Sequence, residues 1–436
     1  MIKIYKSTEI AREDIVSREI AAAGVEEVVA DIIYDVRKNG DEALLGYAKK
    51  FDKIDMTAEE LIVPESEIDA AWEQMEPEFR GILEKAAANI AAFHEKQVRN
   101  GFAITEKDGV VLGQKITPIA KVGLYVPGGT APLLSSVLMN AIPARIAGCE
   151  QIAMTTPPGR DGKVPAAILA AAKVAGVNRI YKMGGAQAIA ALAYGTATVD
   201  AVDKIVGPGN AYVAEAKKQV FGKVAIDMIA GPSEILVLCD ETCDPVVVAA
   251  DLLSQAEHDK MASAIMVTPS EELANAVSAE LERQIPLLPR AEIARISIDT
   301  GSKIILTKDF AEAVDIASEI APEHLELMCD DPFAWLPKVK NAGSIFMGKN
   351  CPEALGDYFA GPNHVLPTGG TAKFSSPLSV DDFIKKSSYI YYTADALKEV
   401  GEQVYAFARK EQLDGHARSA VVRFRRDFWE KPEAFR

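Results

Sequence analysis

The sequence predicts an α/β protein with two parallel-sheet domains, and three observations support this fold class. Apolar strand-like segments alternate with Ala-rich helical segments from about residue 120 to about residue 350, a pattern typical of βαβ units. Several of these strand-like segments run directly into glycine-bearing loops. The composition is that of an average globular protein, with 49% hydrophobic and 25% charged residues. A chain of 436 residues is long enough for two or three domains.

The first alternating block contains three strand–loop–helix repeats. Its predicted strands are Gly123–Val126, Arg179–Met183 and Lys204–Val206, and the helices that follow them are Ser135–Ala147, Ala186–Tyr194 and Ala211–Val220. Because the carboxyl ends of parallel strands meet at one edge of a sheet, the three glycine loops are expected to line that edge, where open α/β folds bind ligands.

A second alternating block follows the first. Its predicted strands are Glu234–Leu238, Ala264–Thr268, Lys303–Leu306 and Ser344–Phe346, with helical segments between them. The flanking regions have helical periodicity instead. Helices are predicted over Ile20–Val36 and over Ala71–Val98, with an interruption near Pro77, and again from Val380 onward. Small helical extensions at both ends of the chain are therefore expected.

Charge and cysteine content exclude several classes of protein. The net charge of −16 argues against a nucleic-acid-binding surface. The longest apolar stretch, Val164–Val177, contains Lys173 and is too short to span a bilayer, and no apolar signal core follows Met1. Five cysteines without a CxxC pair indicate reduced thiols. A cytoplasmic location is expected.

Gln255 and His258 stand three residues apart on a predicted helix. Residues at this spacing share a helix face, so an amide oxygen and an imidazole nitrogen could bind one ion. Two ligands make only half of a metal site, and a solvated helix face is the alternative interpretation.

The remaining histidines divide into two groups. His94 lies on a predicted helix rich in Ala, Lys and Glu, and we interpret it as structural. His324, His364 and His416 follow polar, Gly- or Pro-containing segments, as His258 follows a polar one. Neutral imidazole is the commonest transition-metal ligand and the commonest proton carrier near neutral pH, so these four are candidate site residues.

Acidic residues accompany three of these histidines. Glu323 and His324 follow Pro322 at a predicted helix end, where both could face one cleft and divide acid–base work; an imidazole favoured by the helix dipole is the alternative. Asp357 is a candidate hard ligand or a turn cap. Glu411 could approach His416 across a glycine-containing bend, although a helix C-cap also explains that glycine.

The glycine loops carry only a weak cofactor signature. No GxGxxG motif with a later acidic residue is present, so the domains are expected to be incomplete, Rossmann-like units. A dinucleotide bound there could lie against the ring of Tyr125. Gln187 and Asn210 could form hydrogen bonds with its ribose or amide. A cysteine nucleophile of the aldehyde dehydrogenase kind is disfavoured, because no cysteine has a marked electropositive neighbourhood.

Taken together, nine segments in order resemble the histidinol dehydrogenase family, and the resemblance covers essentially the whole chain. The segments are Gly123–Gly129, Gly184–Ala190, Val206–Asn210, Ile229–Glu234, Leu253–His258, Ala321–Leu325, Gly356–Tyr358, Gly361–His364 and Glu411–His416. Each segment alone is a weak signal, whereas nine in the family's order are a strong one. No catalytic position departs from the family's pattern.

The resemblance implies a zinc- and NAD-dependent oxidation of L-histidinol to L-histidine through bound L-histidinaldehyde, the last step of histidine biosynthesis. His324 would be the general base and Glu323 would activate water for the aldehyde step. One zinc ion per subunit would be bound by Gln255, His258, Asp357 and His416. The implied substrate contacts are Ser233, Gln255, His258, His324, Asp357, Glu411 and His416, and the implied NAD contacts are Tyr125, Gln187 and Asn210.

The family also implies a homodimer with exchanged C-terminal segments, which leaves open whether Glu411 and His416 act in their own subunit or in the partner. The expected domains are residues 1–23 (N-terminal extension), 24–124 with 235–378 (metal and catalytic residues), 125–234 (NAD side) and 379–436 (C-terminal helical segment). Two alternatives are an aldehyde-dehydrogenase-like oxidoreductase and a non-catalytic, two-lobed protein that binds a small ligand. The Glu323–His324 pair argues against the second, since a binding protein needs no paired acid and base.

Overall fold

The structure is a computed structural model, and it describes residues 1–17, 24–128 and 132–425. The start of the helix predicted from Ile20, Gly129 of the first glycine loop and residues 426–436 of the predicted C-terminal segment therefore lie outside the described residues. Contacts divide the chain into two compact units. The first contains Met1–Val98 and Ile119–Phe383, and the second contains Arg99–Pro118 and the described residues from Ile384 onward.

Fourteen strands are present in the described ranges. In chain order they are β1 (Lys3–Lys6), β2 (Phe102–Ile104), β3 (Val110–Pro118), β4 (Lys121–Tyr125), β5 (Gln151–Thr156), β6 (Arg179–Lys182), β7 (Lys204–Val206), β8 (Ala225–Ile226), β9 (Glu234–Cys239), β10 (Ser263–Thr268), β11 (Lys303–Leu306), β12 (His324–Met328), β13 (Ser344–Met347) and β14 (Ile384–Tyr392).

The α-helices alternate with these strands through most of the chain. They are α1 (Arg12–Val16), α2 (Glu26–Asn39), α3 (Asp41–Tyr47), α4 (Glu65–Gln74), α5 (Pro77–His94), α6 (Leu134–Ala147), α7 (Ala166–Ala175), α8 (Gly185–Tyr194), α9 (Ala211–Val220), α10 (Pro245–Ala256), α11 (Glu271–Gln284), α12 (Ala291–Thr300), α13 (Phe310–Ile320), α14 (Pro332–Trp335), α15 (Glu353–Leu355), α16 (Ala394–Lys410) and α17 (Asp414–Val421).

Two parallel sheets form the first unit, which confirms the predicted α/β class. Sheet A has the strand order β1-β11-β10-β9-β12-β13, and sheet B has the order β6-β5-β4-β7-β8. All neighbouring strands within each of these sheets are parallel. Parallel strands need crossover connections, and the helices that supply them cover the faces of the sheets.

The central strands of both sheets are buried on their two faces. All six residues of β9 are buried, and its odd and even positions enter two different hydrophobic clusters. In sheet B, helix α8 is almost entirely buried, because six of its ten residues are alanine or glycine and let it pack closely on its neighbours. Within the described residues, no helix is both long and apolar enough to cross a membrane.

The two ends of the chain contain strands as well as the predicted helices. Residues Lys3–Lys6 form edge strand β1 of sheet A, in which Ile4 and Tyr5 are half-buried and the flanking lysines are exposed. In the second unit, β14, β3 and β2 form an antiparallel sheet, and α16 and α17 follow β14 in the chain. The sequence predicts helices from Val380 onward, whereas the structure has strand β14 from Ile384. This strand pairs with β3 along its whole length.

Candidate active site

The candidate acid–base residues lie at the amino edge of sheet A. Helix α13 ends at Ile320, and Ala321 adopts a left-handed conformation (φ 52°) that turns the chain back toward the sheet. His324 is then the first residue of β12 and is in register with Ile235 of β9. The predicted turn at a helix end is thus present, although it lies at the amino ends of the strands and not at the carboxyl edge where most open α/β folds bind ligands.

The imidazole of His324 is buried and has a defined tautomer. Its Nδ1 lies 2.9 Å from the carbonyl oxygen of Glu234. Because a carbonyl oxygen only accepts hydrogen bonds, Nδ1 carries the proton and Nε2 is left as a base. Among the described residues, Nε2 has no hydrogen-bond partner. Burial lowers the pKa of His324 to about 3, so the ring is neutral.

Glu323 is anchored to the backbone of the same residue as His324. Its Oε2 accepts a hydrogen bond of 2.9 Å from the backbone N–H of Glu234 and lies 3.7 Å from Nδ1 of His324. Burial, followed by the nearby carboxyls, raises the pKa of Glu323 well above that of an exposed glutamate. The N–H and the C=O of Glu234 therefore orient one candidate acid–base group each.

Two carboxyl groups face the unprotonated nitrogen of His324. Nε2 lies 3.7 Å from Oε1 of Glu353 and 3.8 Å from Oδ1 of Asp357. The potential ligand atoms of these three residues all lie within 4.8 Å of one another, which is compatible with one metal ion. Asp357 belongs to a π-helical turn, Gly356–Ala360, and burial raises its pKa to about 7.

Gln255 adds an uncharged candidate ligand to this group. It lies in the last turn of α10, a helix that begins with Asp244 as N-cap and Pro245 in the first turn. Its amide group lies 3.2 Å from Nδ1 of His324, and its buried Oε1 has no hydrogen-bond partner in the described part of the chain. An unpaired buried amide oxygen beside carboxyls and imidazole fits a borderline divalent cation such as zinc.

Two further histidines of the first unit, His258 and His364, lie close to this group. His258 follows the end of α10, where its N–H donates to the carbonyl oxygen of Gln255 (3.1 Å), and its side chain is exposed. It is near enough to lower the pKa values of both His324 and His364 by charge repulsion. Nδ1 of His364 lies 4.0 Å from Oδ1 of Asp357. Gln255 and His258 are thus near each other as predicted, although α10 ends at Ala256, between the two residues.

The other residues predicted for the substrate are placed as follows. Ser233 is half-buried and directly precedes β9. Glu411 and His416 are exposed and belong to the second unit, Glu411 just after α16 and His416 in α17. His94, interpreted as structural, is buried, with Nδ1 at 2.7 Å from Gln97 Oε1 and Nε2 at 3.3 Å from Asn363 Nδ2.

The residues predicted for NAD lie at the carboxyl edge of sheet B. The hydroxyl oxygen of Tyr125, at the end of β4, accepts a hydrogen bond of 3.0 Å from Gly185 N–H, and its ring is buried. Gln187 is buried in the first turn of α8. Asn210 is the N-cap of α9, and its Oδ1 accepts from the N–H groups of Tyr212 and Val213. Its Nδ2 is therefore the side-chain group available to a ligand.

Two buried acids, Glu326 and Glu353, and the half-buried Asp251 lie near the site and were not singled out from the sequence. Glu326 Oε1 accepts a hydrogen bond of 2.8 Å from the backbone N–H of Glu353, and a hydrogen bond joins the side chains of Glu326 and Asp251. Glu353 Oε2 lies 3.4 Å from Ser254 Oγ. A sequence signal did exist for Glu326, because it shares a strand face with His324 inside an otherwise apolar segment.

The five cysteines are free, as expected from their number and spacing. Burial raises the pKa of four of their thiols: to about 11 for Cys149 and Cys329, to about 12 for Cys243, and well above its usual value for Cys239. A reactive cysteine needs a lowered pKa, so these four thiols are poor nucleophiles. The aldehyde-dehydrogenase-like alternative loses support.

Comparison with known proteins identifies relatives along nearly the full chain. A family model described as histidinol dehydrogenase matches residues 16–424. A histidinol dehydrogenase from Geobacillus kaustophilus is 55% identical over 93% of this chain and 96% of its own length, and one from Clostridium acetobutylicum is 54% identical over 92% and 93%. The crystal structure of histidinol dehydrogenase from Elizabethkingia anophelis superposes with a TM-score of 0.92 at 38% identity, covering 97% of this chain and 98% of that one.

The buried acid pair predicts a pH-dependent stability. Burial and the adjacent Asp251 raise the pKa of Glu326, so the native state holds a proton that the unfolded chain releases above the ordinary glutamate pKa. Its contribution to stability is therefore present at acidic pH and lost as pH rises. Between about pH 5 and pH 8, the free energy of unfolding should fall more steeply in the wild type than in Glu326→Gln, by at most about 1.4 kcal/mol per pH unit.

Urea unfolding at several pH values in a chelating buffer measures this difference in slope. Glu241→Gln, which removes an exposed carboxyl, is the matched control and should leave the slope unchanged. Parallel pH profiles for wild type and Glu326→Gln would contradict the expectation.

Proposed function

The chain belongs to the histidinol dehydrogenase family, and from that membership we propose which of its residues carry out the reaction. It is an NAD-dependent oxidoreductase of histidine biosynthesis that converts L-histidinol to L-histidine, and the family uses zinc and NAD. The conversion removes four electrons in two steps, with L-histidinaldehyde between them. Each step releases a hydride to NAD and leaves protons for the protein to accept.

His324 is the general base that removes the proton from the substrate hydroxyl. The observation that carries this proposal is the arrangement of its ring: Nδ1 is held by the Glu234 carbonyl at 2.9 Å, and Nε2 is buried and unpaired among the described residues. The low pKa keeps Nε2 unprotonated and ready to accept a proton. General base catalysis of this kind contributes about 10²–10⁴-fold in rate.

Glu323 activates the water that the second oxidation requires. The aldehyde has no hydroxyl hydrogen to lose, so it must first be hydrated to a gem-diol, which then gives up a second hydride. The free carboxyl oxygen of Glu323 is its Oε1, because Oε2 already accepts the N–H of Glu234. Only the ionised carboxylate can take a proton from water, and burial makes that carboxylate a stronger base than that of an exposed glutamate.

The zinc ligands are Gln255, His258, Asp357 and His416. The adjacency of Gln255, His258 and Asp357 to one buried group of ligands supports the first three. Zinc held by these residues would supply a fixed positive charge that orients the substrate. Ser233, His324, Asp357 and Glu411 contact the same substrate, together with the ligands, and this fixed orientation contributes to rate by proximity.

NAD binds at the carboxyl edge of sheet B, where it contacts Tyr125, Gln187 and Asn210. When bound, it accepts the hydride. The N-termini of α8 and α9 lie at this edge, and the positive ends of their dipoles favour a pyrophosphate. Gly128 and Gly184 let their loops pack against Pro157, because a Cβ on either would lie within 3.0 Å of it.

The functional molecule is a homodimer in the cytoplasm. In the second unit, the side chains of β14 are exposed along nearly their whole length, including Ile390 at 75% and Tyr391 at 58%, and Phe407 of α16 is 70% exposed. Such an apolar surface favours contact with a second copy of the chain. Glu411 and His416 act in the active site that this exchange completes. Free cysteines are typical of a reducing compartment.

The stoichiometry of NADH tests the proposed function. We expect two NADH for each L-histidinol consumed, because both oxidations occur on one enzyme. Activity should disappear with a chelator and return with zinc. NADH absorbance, followed to completion with limiting L-histidinol, measures the ratio. Absence of turnover at any zinc supply would refute the proposal.

The Glu323→Gln variant separates the two oxidations. Gln keeps the shape and can still accept the Glu234 N–H, but it cannot activate water, so the aldehyde step should slow by about 10²–10⁴-fold. The oxidation of L-histidinol should change far less, and the NADH yield should approach one per substrate. Rates measured from L-histidinol and from L-histidinaldehyde give the comparison, and an equal loss in both steps would contradict the division of roles.

Mixed dimers test whether the active sites are shared. Gln255→Ala and His416→Ala remove zinc ligands from different parts of the chain, and each variant alone should be inactive. If His416 serves the partner's site, a mixed dimer contains one intact site and should recover up to about half of the wild-type activity per dimer. A mixed dimer verified by mass and still inactive would show that both ligands act in one subunit.

A further inference from the structure

A buried ion pair lies behind the glycine loop that connects β7 to α9. The side chains of Lys217 and Asp227 are only 3% and 1% exposed, and their charged groups are in direct contact. Lys217 is on α9, and Asp227 follows the two-residue edge strand β8. Neither residue belongs to the acid–base group of sheet A.

Both side chains bind the backbone of Gly207, the first residue of the loop. The N–H of Gly207 donates to Asp227 Oδ2 at 2.8 Å, and Lys217 Nζ donates to the carbonyl oxygen of Gly207 at 2.9 Å. Together with the ion pair, these bonds form a closed ring, which we call the Gly207 clamp. Its members are Gly207, Lys217 and Asp227.

Gly207 cannot be replaced by a residue with a side chain without moving the loop. Its φ of +113° is one that L residues rarely adopt, and a Cβ would lie 2.2 Å from the carbonyl oxygen of Tyr125. The loop therefore crosses directly over the carboxyl end of β4. At this position, both backbone hydrogen-bonding groups of Gly207 point into the protein and require partners.

A buried ion pair is a poor way to gain stability, because well-packed apolar side chains usually do as well. What the pair supplies here is a fixed position for the loop. Asp227 is held at the sheet, since its N–H donates to Ile205 O at 3.2 Å, and Lys217 is held by α9. The clamp thus ties Gly207 to the sheet and to the helix whose N-terminus Asn210 caps.

We propose that Lys217 and Asp227 are positioning residues for NAD. They set the path of Gly207–Asn210, and through it the direction of Asn210 Nδ2 and of the first N–H groups of α9. This inference rests on the proposed role of Asn210 in cofactor binding. Neither residue contacts the cofactor. They affect NAD binding only by holding the loop in its binding conformation in the absence of NAD.

Steady-state kinetics of Lys217→Met, Asp227→Asn and the double variant test the proposal. In the single variants, an unpaired buried charge remains, and both melting temperature and NAD affinity should fall. The double variant leaves no charge unpaired, so its melting temperature should largely recover. It still lacks the Lys217 bond to the loop, and its KM for NAD should stay raised about tenfold, equivalent to about 1.4 kcal/mol. KM for L-histidinol should change less than about twofold.

Lys204→Met is the matched control. Lys204 forms the other low-exposure Lys–Asp pair of sheet B, with Nζ at 2.7 Å from the carbonyl oxygen of Asp382, but it stands at the first residue of β7, the opposite end from the loop. Its loss should lower the melting temperature and leave KM for NAD unchanged. A purely structural clamp would behave like this control.

The outcomes separate the clamp from the underlying assignment. If the single variants do not fold, the double variant alone tests the proposal. If its KM for NAD stays within twofold of wild type, or if the KM values for NAD and L-histidinol rise equally, the clamp is overturned. Asn210→Ala, measured in parallel, should raise KM for NAD; an effect of Asn210→Ala without one in the double variant refutes only the clamp, and no effect in either refutes the NAD site as well.

Discussion

The backbone of Glu234 is the element on which the acid–base group depends. Its N–H holds Glu323 and its C=O holds Nδ1 of His324, so one residue orients two adjacent side chains. The position of that residue is fixed in turn by β9, an interior and fully buried strand of sheet A. A group whose tautomer is set by a backbone carbonyl needs no separate charged partner to keep it in place.

Burial then shifts the pKa values of the titratable groups around Glu234. Desolvation lowers the pKa of His324 and raises those of Glu323 and Asp357, so imidazole and carboxyls are all pushed toward their neutral forms. The neutral imidazole can accept a proton, whereas Glu323 acts as a base only in its ionised form. A divalent cation among these ligands would favour the ionised carboxylates and lower their pKa values.

The sequence predicted much of this, and the exceptions share a physical cause. Parallel strands and glycine loops follow from local periodicity, and the pair Glu323–His324 is visible because it adjoins Pro322 at a helix end. Glu353 and Asp251 were missed because they become notable only when folding buries them beside residues distant in the chain. Strand β14 was missed because an exposed strand has no apolar face to reveal its period. The ligand set came from family resemblance and not from spacing.

Anchoring through the backbone also has a genetic consequence. A hydrogen bond to a main-chain N–H or C=O survives nearly every amino-acid substitution at that position, because the codon changes only the side chain. At Glu234, the one exception for the N–H is proline, which has none to donate. Random mutation can therefore remove Glu323 or His324 themselves, but it has few ways to remove what orients them. The hydrogen bonds that orient Glu323 and His324 therefore tolerate more amino-acid substitutions than Glu323 and His324 themselves do.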